Sequence, residues 1–329
     1  MLTPFQRALR AWYAKHGRAL PWRATRDPYS VWVSEIMCQQ TQVGTVIPYY
    51  ERFMKQFPTV QALADATEPE VLSRWEGLGY YRRARMLHSG AKLVVKTGFP
   101  GSAKEWRAVP GVGAYTAGAI ASITLGESVP VVDGNVERVF ARLTANSDDR
   151  AALHRAAWAW ASEQVPTDKP GDWNQAVMEL GATVCTPARP ACESCPVSRW
   201  CEAYSVGEPE RFPRPKERAQ TVLLKDCVVV CVCGERFGLR QIPAGEWWEG
   251  MWQFCRGDRP PFDPLVRWDL GMLTHAITKH RITLRAELWK LAKEEEGLQW
   301  FDPEALDALP MPAPQRKLLK RALEVLTQR

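Results

Sequence analysis

Residues 109–135 read VPGVGAYTAGAIASITLGESVPVVDGN, and this stretch decides the fold of the first part of the chain. Gly111 and Gly113 lie between two segments of helical periodicity, where the second segment begins. Glycines in such a turn let backbone N–H groups approach an anion closely, and the start of the next helix adds its dipole. The turn predicts a hairpin that grips a phosphate, although a plain turn between helices uses the same residues about half the time.

The same stretch ends on Asp133, Gly134 and Asn135, which place a carboxylate at the start of a further helix. The simplest interpretation of Asp133 is an N-cap, because its side-chain oxygens accept from the free N–H groups of a first helical turn. A carboxylate with a chemical role is the alternative.

Helical periodicity extends on both sides of this stretch, and extended alternating patterns are almost absent before residue 205. Helices are predicted at 3–15, 28–39, 43–56, 81–96, 114–123, 135–145, 151–164 and 172–184. Strands are predicted at 222–232, 281–288 and 298–301, with a closing helix at 314–327. We therefore expect a helical domain at 1–204, a proline-rich and charged linker at 205–220, and a smaller α+β domain at 221–329.

Composition sets the class of protein. The chain has 329 residues, of which 46% are hydrophobic and 24% charged, as in a soluble globular protein with room for two cores. Its net charge of +6 permits a polyanionic partner without requiring one. The N-terminus has no apolar signal segment and no stretch is long enough to span a bilayer, so a cytosolic protein without membrane contact is expected.

Four of the nine cysteines fall in one short run, spaced C-x6-C-x2-C-x5-C; they are Cys185, Cys192, Cys195 and Cys201. Thiolates this close together suit a 4Fe-4S cluster or a tetrahedral zinc. Zinc sites more often use two separated C-x2-C pairs, so the spacing favours the iron–sulfur cluster. Unligated buried cysteines are disfavoured, because the prolines of this loop leave little apolar content to bury them.

Glu35 is predicted within an apolar helical stripe, on the same face as Trp32 and Ile36. Desolvation in such a stripe raises the pKa of a carboxyl and makes it a competent general acid near neutral pH. A glutamate at the rim of the stripe that pairs with an arginine is the alternative.

Taken together, the glycine hairpin, the aspartate beyond it and the four-cysteine spacing resemble the endonuclease III superfamily of helix-hairpin-helix base-excision glycosylases, over residues 5–201. Residues 20–23, 34–42 and 77–81 are similar to its adenine DNA glycosylase (MutY) branch. Superfamily members that also cut the strand carry a lysine just after the hairpin, where this chain has Tyr115. The resemblance implies an enzyme that removes adenine mispaired with 8-oxoguanine or guanine. It also implies that this enzyme is monofunctional, because a tyrosine cannot form the Schiff base of β-elimination.

The resemblance also implies roles for individual residues. Glu35 protonates the adenine ring, and Asp133 stabilises the oxocarbenium-like sugar or briefly bonds to it. Tyr115 and Asn135 match positions that support this centre. The extruded adenine needs a pocket, and the residues matched to that pocket are Trp22, Arg23 and Gln175.

The resemblance implies that the protein binds duplex DNA, and we expect it to do so as a monomer. Further residues are implied in contacts with the duplex. Gln40 and Tyr80 match residues that wedge into the duplex beside the lesion, Thr41 faces the opposite base, and Gly111 and Gly113 form the phosphate hairpin. The cationic run of Arg82, Arg83 and Arg85 suits phosphate contacts, or else a solvated helix face.

Residues 221–329 resemble the Nudix-like lesion-recognition domain of the same family, with 239–245 and 252–254 as the matching stretches. This segment lacks the acidic Nudix box, so pyrophosphate hydrolysis is not expected. Thr278 stands near the place of a family Phe-Ser-His element and keeps a hydroxyl that can meet 8-oxoguanine. Glu137 replaces a residue that is commonly basic in the family.

Two other functions stay open at this stage. One is a bifunctional pyrimidine glycosylase and lyase of the endonuclease III type, against which Tyr115 and the second domain argue. The other is a non-catalytic iron–sulfur protein that binds DNA or transfers electrons, in which Glu35 and Asp133 are incidental.

Overall fold

A computed structural model of the chain describes residues 2–215, 220–257 and 260–328. These residues form two compact units, the first comprising 2–65 and 82–215 and the second comprising 66–81 and 220–328. Part of the predicted linker, residues 216–219 including Lys216, lies outside the described residues. None of the described helices combines the length and the apolar composition that crossing a membrane requires.

The chain up to residue 205 is built from helices, as predicted. In chain order they are α1 (Pro4–His16), α2 (Pro28–Cys38), α3 (Val43–Gln56), α4 (Val60–Asp65), α5 (Glu68–Trp75), α6 (Arg82–Thr97), α7 (Ala103–Trp106), α8 (Ala114–Ile120), α9 (Gly134–Leu143), α10 (Arg150–Gln164), α11 (Pro170–Thr183) and α12 (Glu202–Ser205). All of them except α5 belong to the first unit. The sequence did not predict α4, α5 or α12.

Capping side chains fix where several of these helices begin. Thr3 and Gln6 form a reciprocal capping box at α1, with the Gln6 side chain accepting from the Thr3 N–H at 2.8 Å. Asp27 caps α2 and is followed by Pro28 in the first helical position, which fixes a helical φ and needs no N–H partner. Asp149 caps α10, where its side chain accepts from the backbone N–H groups of Ala151 and Ala152. The resulting bounds place Glu35 two turns into α2.

One core of the first unit positions the start of α9. Val136, Val139 and Phe140 are buried on one face of α9, and they pack in a cluster with Leu9 of α1 and Trp173 of α11. Burial of each large apolar side chain contributes roughly 1.5–3 kcal/mol. This packing holds the first turn of α9, and with it Asp133, in a fixed place.

The second unit contains a seven-stranded mixed sheet and two further helices. They are β1 (Val222–Cys233), β2 (Arg236–Gln241), β3 (Trp252–Gln253), β4 (Cys255–Arg256), β5 (Val266–Ile277), β6 (His280–Lys290), β7 (Gln299–Phe301), α13 (Pro303–Leu306) and α14 (Ala313–Thr327). The main strand order is β3-β2-β1-β6-β5. Only the β1–β6 pair is parallel among the described strand pairs. The predicted α+β character of this part is confirmed.

Strands β2, β3, β4 and β5 were not predicted, and for β5 a bulge explains why. Its pairing with β6 shifts register between Asp269 and Gly271, where Gly271 takes a φ of +76°. The buried positions therefore change from even to odd numbers, from Leu270 to Leu273. A strict two-residue alternation, which is the sequence signal of a strand, does not survive this shift.

Candidate active site

Glu35 lies on α2, and one of its carboxyl oxygens is buried. The side chains before and after it, Ser34 and Ile36, are buried, and its Oε2 atom is buried without a hydrogen-bond partner among the described residues. Burial raises the pKa of Glu35 to about 7, and the negative charge of Asp133 adds to the rise. A hydrogen bond from Tyr115 and the charge of Arg23 act in the opposite direction. Glu35 therefore exchanges a proton near neutral pH.

Tyr115 connects this carboxyl to the helix that follows the glycine hairpin. It is the second residue of α8, and its hydroxyl interacts with Glu35 and lies 3.6 Å from Met178 Sδ. Burial, followed by the charges of Glu35 and Asp133, raises the pKa of Tyr115 well above its usual value. The phenol is therefore a neutral donor at physiological pH.

Asp133 is the N-cap of α9, and its carboxylate is held by three N–H groups. Oδ1 accepts from the backbone N–H groups of Asn135 at 2.9 Å and Val136 at 2.8 Å, and Oδ2 accepts from Asn135 Nδ2 at 2.8 Å. Burial raises the pKa of Asp133, while these three bonds oppose the rise. Asp133 is therefore an N-cap, as the simplest interpretation of the sequence predicted. The same carboxylate also interacts electrostatically with Glu35.

A chain of hydrogen bonds leads from Asp133 to the cysteine loop. Asn135 Oδ1 accepts from Arg138 Nη2 at 2.8 Å, and Arg138 Nε donates to the backbone oxygen of Cys185 at 2.8 Å. Arg138 Nη2 also donates to Gly181 O at 2.8 Å. Arg138 was not among the residues predicted from the sequence, although its place one turn after Asn135 on the same helix face is a readable signal.

The four cysteines of residues 185–201 lie in one loop that follows α11. Each thiol is partly exposed, and the thiols of Cys185, Cys192 and Cys201 each act electrostatically on that of Cys195. Backbone N–H groups point at two sulfurs, from Val197 to Cys195 and from Ala203 and Tyr204 to Cys201. Across the described ranges, no three His, Cys, Asp or Glu side chains converge closely enough to hold a single metal ion.

Arg142 forms hydrogen bonds with the start of this loop. Its side chain is only 2% exposed, and its guanidinium donates to Cys185 Sγ at 3.3 Å and to the carbonyl oxygens of Thr186 and Pro187 at 2.7 and 2.9 Å. Cys201 Sγ in turn lies 3.3 Å from the backbone oxygen of Arg142. A buried positive charge beside sulfur atoms favours thiolate ligands.

Trp22 and Arg23 follow each other in a short 3-10 turn, Pro21–Arg23, but have different surroundings. Trp22 is buried edge-to-face against Tyr50, with ring centroids 5.1 Å apart. Arg23 donates from Nη2 to Glu179 Oε2 at 2.9 Å and lies over the ring of Tyr13. Gln175, the third residue matched to the adenine pocket, is half-buried on α11.

Glu179 is a buried anion that was not predicted from the sequence. Its side chain is fully buried and binds Arg18 through Nε at 2.6 Å and Nη2 at 2.9 Å, in addition to Arg23. Burial acts to raise the pKa of Glu179, but the hydrogen bonds from Arg18 and Arg23 outweigh burial and hold it at about 2. Glu179 thereby fixes the cation of Arg23, which acts on Glu35.

Arg83 has a different role from the predicted phosphate contact. Its Nη1 donates to the backbone oxygens of Ile36 at 2.9 Å, Met37 at 2.8 Å and Gln39, and its Nη2 donates to Thr41 Oγ1 at 3.1 Å. The carbonyl groups that end a helix otherwise have no partner, and a cation satisfies them. Arg83 therefore caps α2 and supports the turn that carries Gln40 and Thr41.

The turn after α2 presents Gln40 to solvent. Gln40 is exposed and takes a left-handed conformation with φ of 57°, which is uncommon for a residue other than glycine. The side chain of the preceding Gln39 ties this turn to α8 by donating to Thr116 Oγ1 at 3.2 Å.

The glycine hairpin lies between α7 and α8. Gly111 has a φ of +79°, and a side chain there would approach Met86 Cβ to 2.8 Å. Gly113 is exposed at the N-cap of α8 with open space at its side-chain position. The first N–H groups of α8 therefore face a surface that an anion can approach.

Two predicted contacts belong to the second unit. Tyr80 follows α5 with 49% of its surface exposed. Thr278 occupies the two-residue turn between β5 and β6, beside an open depression of about 420 Å³ that His275 also lines. Both ring nitrogens of His275 are buried without a partner among the described residues, and burial lowers its pKa.

Two family profiles match the chain, one on each side of the linker. A profile described as the HhH-GPD superfamily of base excision DNA repair proteins matches residues 33–163, and a NUDIX domain profile matches residues 227–321. The predicted combination of a helix-hairpin-helix glycosylase fold with a Nudix-like domain is confirmed.

Similar curated proteins are adenine DNA glycosylases. One from Buchnera aphidicola subsp. Schizaphis graminum is 32% identical, and the match covers 80% of this chain and 76% of that protein. One from Arabidopsis thaliana is 43% identical over 74% of this chain, and one from Homo sapiens is 47% identical over 64%. This chain spans 46% and 41% of the length of those two relatives.

Similar solved structures cover the helical part. A thermostable thymine-DNA glycosylase has a TM-score of 0.57 at 30% identity, over 61% of this chain and 95% of that one. An endonuclease III–DNA complex has a TM-score of 0.52 at 21% identity, over 63% of this chain and 99% of that one, and shows likeness of fold alone.

Proposed function

The chain belongs to the adenine DNA glycosylase family, and from this premise we propose that it hydrolyses the N-glycosidic bond of adenine mispaired with 8-oxoguanine or guanine in duplex DNA. One observation carries the proposal: a buried carboxyl with a pKa of about 7, Glu35, interacts with a second buried carboxyl, Asp133, that is held by three N–H groups. Glycosidic bonds are cleaved by such pairs, one as acid and one as anion.

In the proposed reaction, Glu35 gives its proton to the ring of an extruded adenine. The bond from the sugar carbon to the base nitrogen then breaks, and its electron pair leaves with the neutral base. Asp133 faces the resulting oxocarbenium-like sugar as an anion, or bonds to it briefly. Water then adds its oxygen to the sugar carbon and gives its proton to the Glu35 carboxylate, which restores the acid. Tyr115 orients the Glu35 carboxyl, because its hydroxyl is a neutral donor beside it.

The remaining residues of the centre set the position of these two carboxyls. Asn135 and Arg138 hold Asp133 in one orientation, and Arg23, fixed by Glu179, lies close enough to lower the pKa of Glu35. We propose that Trp22, Arg23 and Gln175 border the space for the extruded base. Strand cleavage is not part of the proposal, since Tyr115 offers no amine for a Schiff base.

We further propose that Cys185, Cys192, Cys195 and Cys201 hold a 4Fe-4S cluster. Four thiols in one loop, N–H groups directed at two of the sulfurs and the buried guanidinium of Arg142 fit such a group, because hydrogen bonds to sulfur stabilise cluster ligands. The cluster would order the loop that accepts the hydrogen bond from Arg138. Purified protein should be brown with about four iron atoms per chain, and colourless protein with stoichiometric zinc would refute this assignment.

DNA is the proposed partner of both units. Gln40, Tyr80 and Thr41 are proposed to enter or face the duplex, and the Gly111–Gly113 hairpin to hold a phosphate. Thr278, beside the depression lined by His275, is proposed to meet the 8-oxoguanine. A monomer in the cytosol remains our expectation from the sequence.

The function is tested with three duplexes that contain adenine opposite 8-oxoguanine, adenine opposite guanine, or oxidised thymine. Strand breaks are measured with and without hot alkali. We expect breaks only in the adenine duplexes and only after alkali. Breaks without alkali would favour the bifunctional glycosylase and lyase, and no base release from any duplex would favour a non-catalytic protein.

A further inference from the structure

A short segment from the first third of the chain groups with the C-terminal unit. Residues 66–81 contain α5, which begins at a capping box formed by Thr67 and Glu70. One face of α5 is buried through Val71, Leu72 and Trp75, each at most 2% exposed. The helix is therefore a packed element, and it is grouped with the second unit.

One ion pair joins the end of α5 to the C-terminal helices. Arg316 Nε lies 2.9 and 3.2 Å from the two carboxylate oxygens of Glu76, the C-cap of α5. The other nitrogens of Arg316 donate to the backbone oxygens of Leu306, Asp307 and Leu309, where α13 ends. Both side chains are about four-fifths buried, at 18% and 22% exposure, so solvent screens the pair weakly.

Without Arg316, the negative charge of Glu76 would be unfavourable at the end of α5. A carboxylate at the C-terminal end of a helix is opposed by the helix dipole and by the free carbonyl groups of the last turn. Arg316 supplies the cation that makes this position favourable for an anion. The pair thus decides the conformation of the residue that directly precedes the exposed turn.

The turn after Glu76 is tightly specified. Gly77, Gly79 and Tyr80 have φ values of 98°, 72° and 50°, all in the left-handed region. The Leu78 N–H donates to Trp75 O at 3.1 Å, and Trp75 Nε1 donates to Gly79 O at 3.1 Å. A tyrosine keeps such a conformation only where its surroundings enforce it. Tyr80 therefore keeps its left-handed backbone conformation although its ring is exposed.

We propose that the Glu76–Arg316 pair is a positioning device, by which the C-terminal domain fixes the Gly77–Tyr81 turn and presents the Tyr80 ring to duplex DNA. This inference rests on the proposed function, in which Tyr80 enters the duplex beside the mismatch. It assigns the C-terminal domain a second contribution to DNA binding, separate from the turn that carries Thr278.

The test compares Glu76→Gln, Arg316→Gln and the double variant in the full chain. Glu76→Gln is the cleaner change, because it leaves the bonds of Arg316 to the α13 carbonyls in place. Glu324→Gln is the matched control, since it removes the same charge from an exposed position on α14. Hydrogen–deuterium exchange of the 76–81 amides, duplex affinity and the single-turnover rate at saturating protein are measured.

For Glu76→Gln we expect exchange at 76–81 and the Kd for the adenine–8-oxoguanine duplex to rise about fivefold to twentyfold, as loss of a semi-buried coupling would give. The saturating rate should stay within about twofold, because the chemistry is not touched. The double variant should lose no more affinity than the worse single variant. In a Tyr80→Ala background, Glu76→Gln should cause no further loss of affinity.

Two results would overturn the inference. One is unchanged exchange at 76–81 in Glu76→Gln, and the other is faster exchange with unchanged affinity. Failure of the proposed function has a different signature, because wild-type protein would then release no adenine from either mispair. The exchange measurement tests the ion pair in both situations.

Discussion

A carboxyl is buried both in α2, at Glu35, and at the start of α9, at Asp133. The two carboxyls differ in the number of hydrogen-bond donors around them. At Asp133, three N–H groups occupy both oxygens and oppose the effect of burial. At Glu35, Tyr115 is the favourable hydrogen-bonding group and Oε2 has no partner among the described residues. Burial raises the pKa of both groups, so the supply of N–H donors distinguishes a residue that keeps a proton to give from one that stays an anion.

The largest expected effect comes from removing the acid. Glu35→Gln keeps the shape of the side chain but has no proton to donate, and we expect single-turnover adenine release to fall by about 10²- to 10⁴-fold. Duplex affinity should change little. Glu51→Gln, an exposed change of equal charge on α3, is the control. Adenine release near the wild-type rate would show that Glu35 is not the acid.

The second prediction separates capping from chemistry at Asp133. Asp133→Asn should lower the excision rate by about 10²- to 10³-fold, because the anion that stabilises the sugar is lost. Asn caps helices about as well as Asp, so thermal stability should change by less than about 1 kcal/mol. Asp149→Asn is the matched control, since Asp149 caps α10 with bonds of 2.8 and 2.9 Å. Equal rates for both variants would leave Asp133 as a cap alone.

The third prediction concerns pH. With a pKa of about 7, Glu35 loses its proton as the pH rises through neutrality, so the rate at subsaturating DNA should fall about tenfold for each further pH unit. On the acid side the rate should fall where Asp133 becomes protonated, above the ordinary pKa range of an aspartate because burial raises it. Glu35→Gln should lose the alkaline decline. A flat profile between pH 6 and 9 would contradict the assignment of the acid.

The smallest expected effect is on selectivity. Thr278→Ala should reduce the preference for adenine opposite 8-oxoguanine over adenine opposite guanine by about tenfold or less, the worth of one hydrogen bond. The rate on adenine opposite guanine should not change. Thr327→Ala, at an exposed position of α14, is the control. Retained preference would assign recognition of the opposite base to the turn of Gln40 and Thr41.

Helix-capping residues made much of the helical part predictable, whereas short helices were not predicted. The prediction for 43–56 coincides with α3, and Asp27 with Pro28 marks the start of α2. Helices α4 and α5 were missed because six and eight residues give too little periodicity. The Thr67 and Glu70 capping box was nevertheless a readable signal for α5.

Pairings between distant residues could not be predicted. Glu35 and Asp133 were identified as separate motifs, and their electrostatic interaction depends on how the helices of the first unit bring them together. Glu179 lies in a largely apolar helix, where the sequence gives no sign of the two arginines that neutralise it. Arg83 illustrates the opposite error, because a cluster of cations resembles a phosphate contact until the carbonyl groups that it satisfies are known.

Gly181 on α11 has a consequence for engineering. A side chain there would lie 2.6 Å from Asn135 Cβ, so α11 and the first turn of α9 approach as closely as a glycine allows. Helix propensity alone favours alanine over glycine by about 1 kcal/mol inside a helix. A programme that ranks substitutions by propensity would therefore select Gly181→Ala as a gain in thermostability, whereas the added methyl group would push Asn135 and the carboxylate it holds out of place.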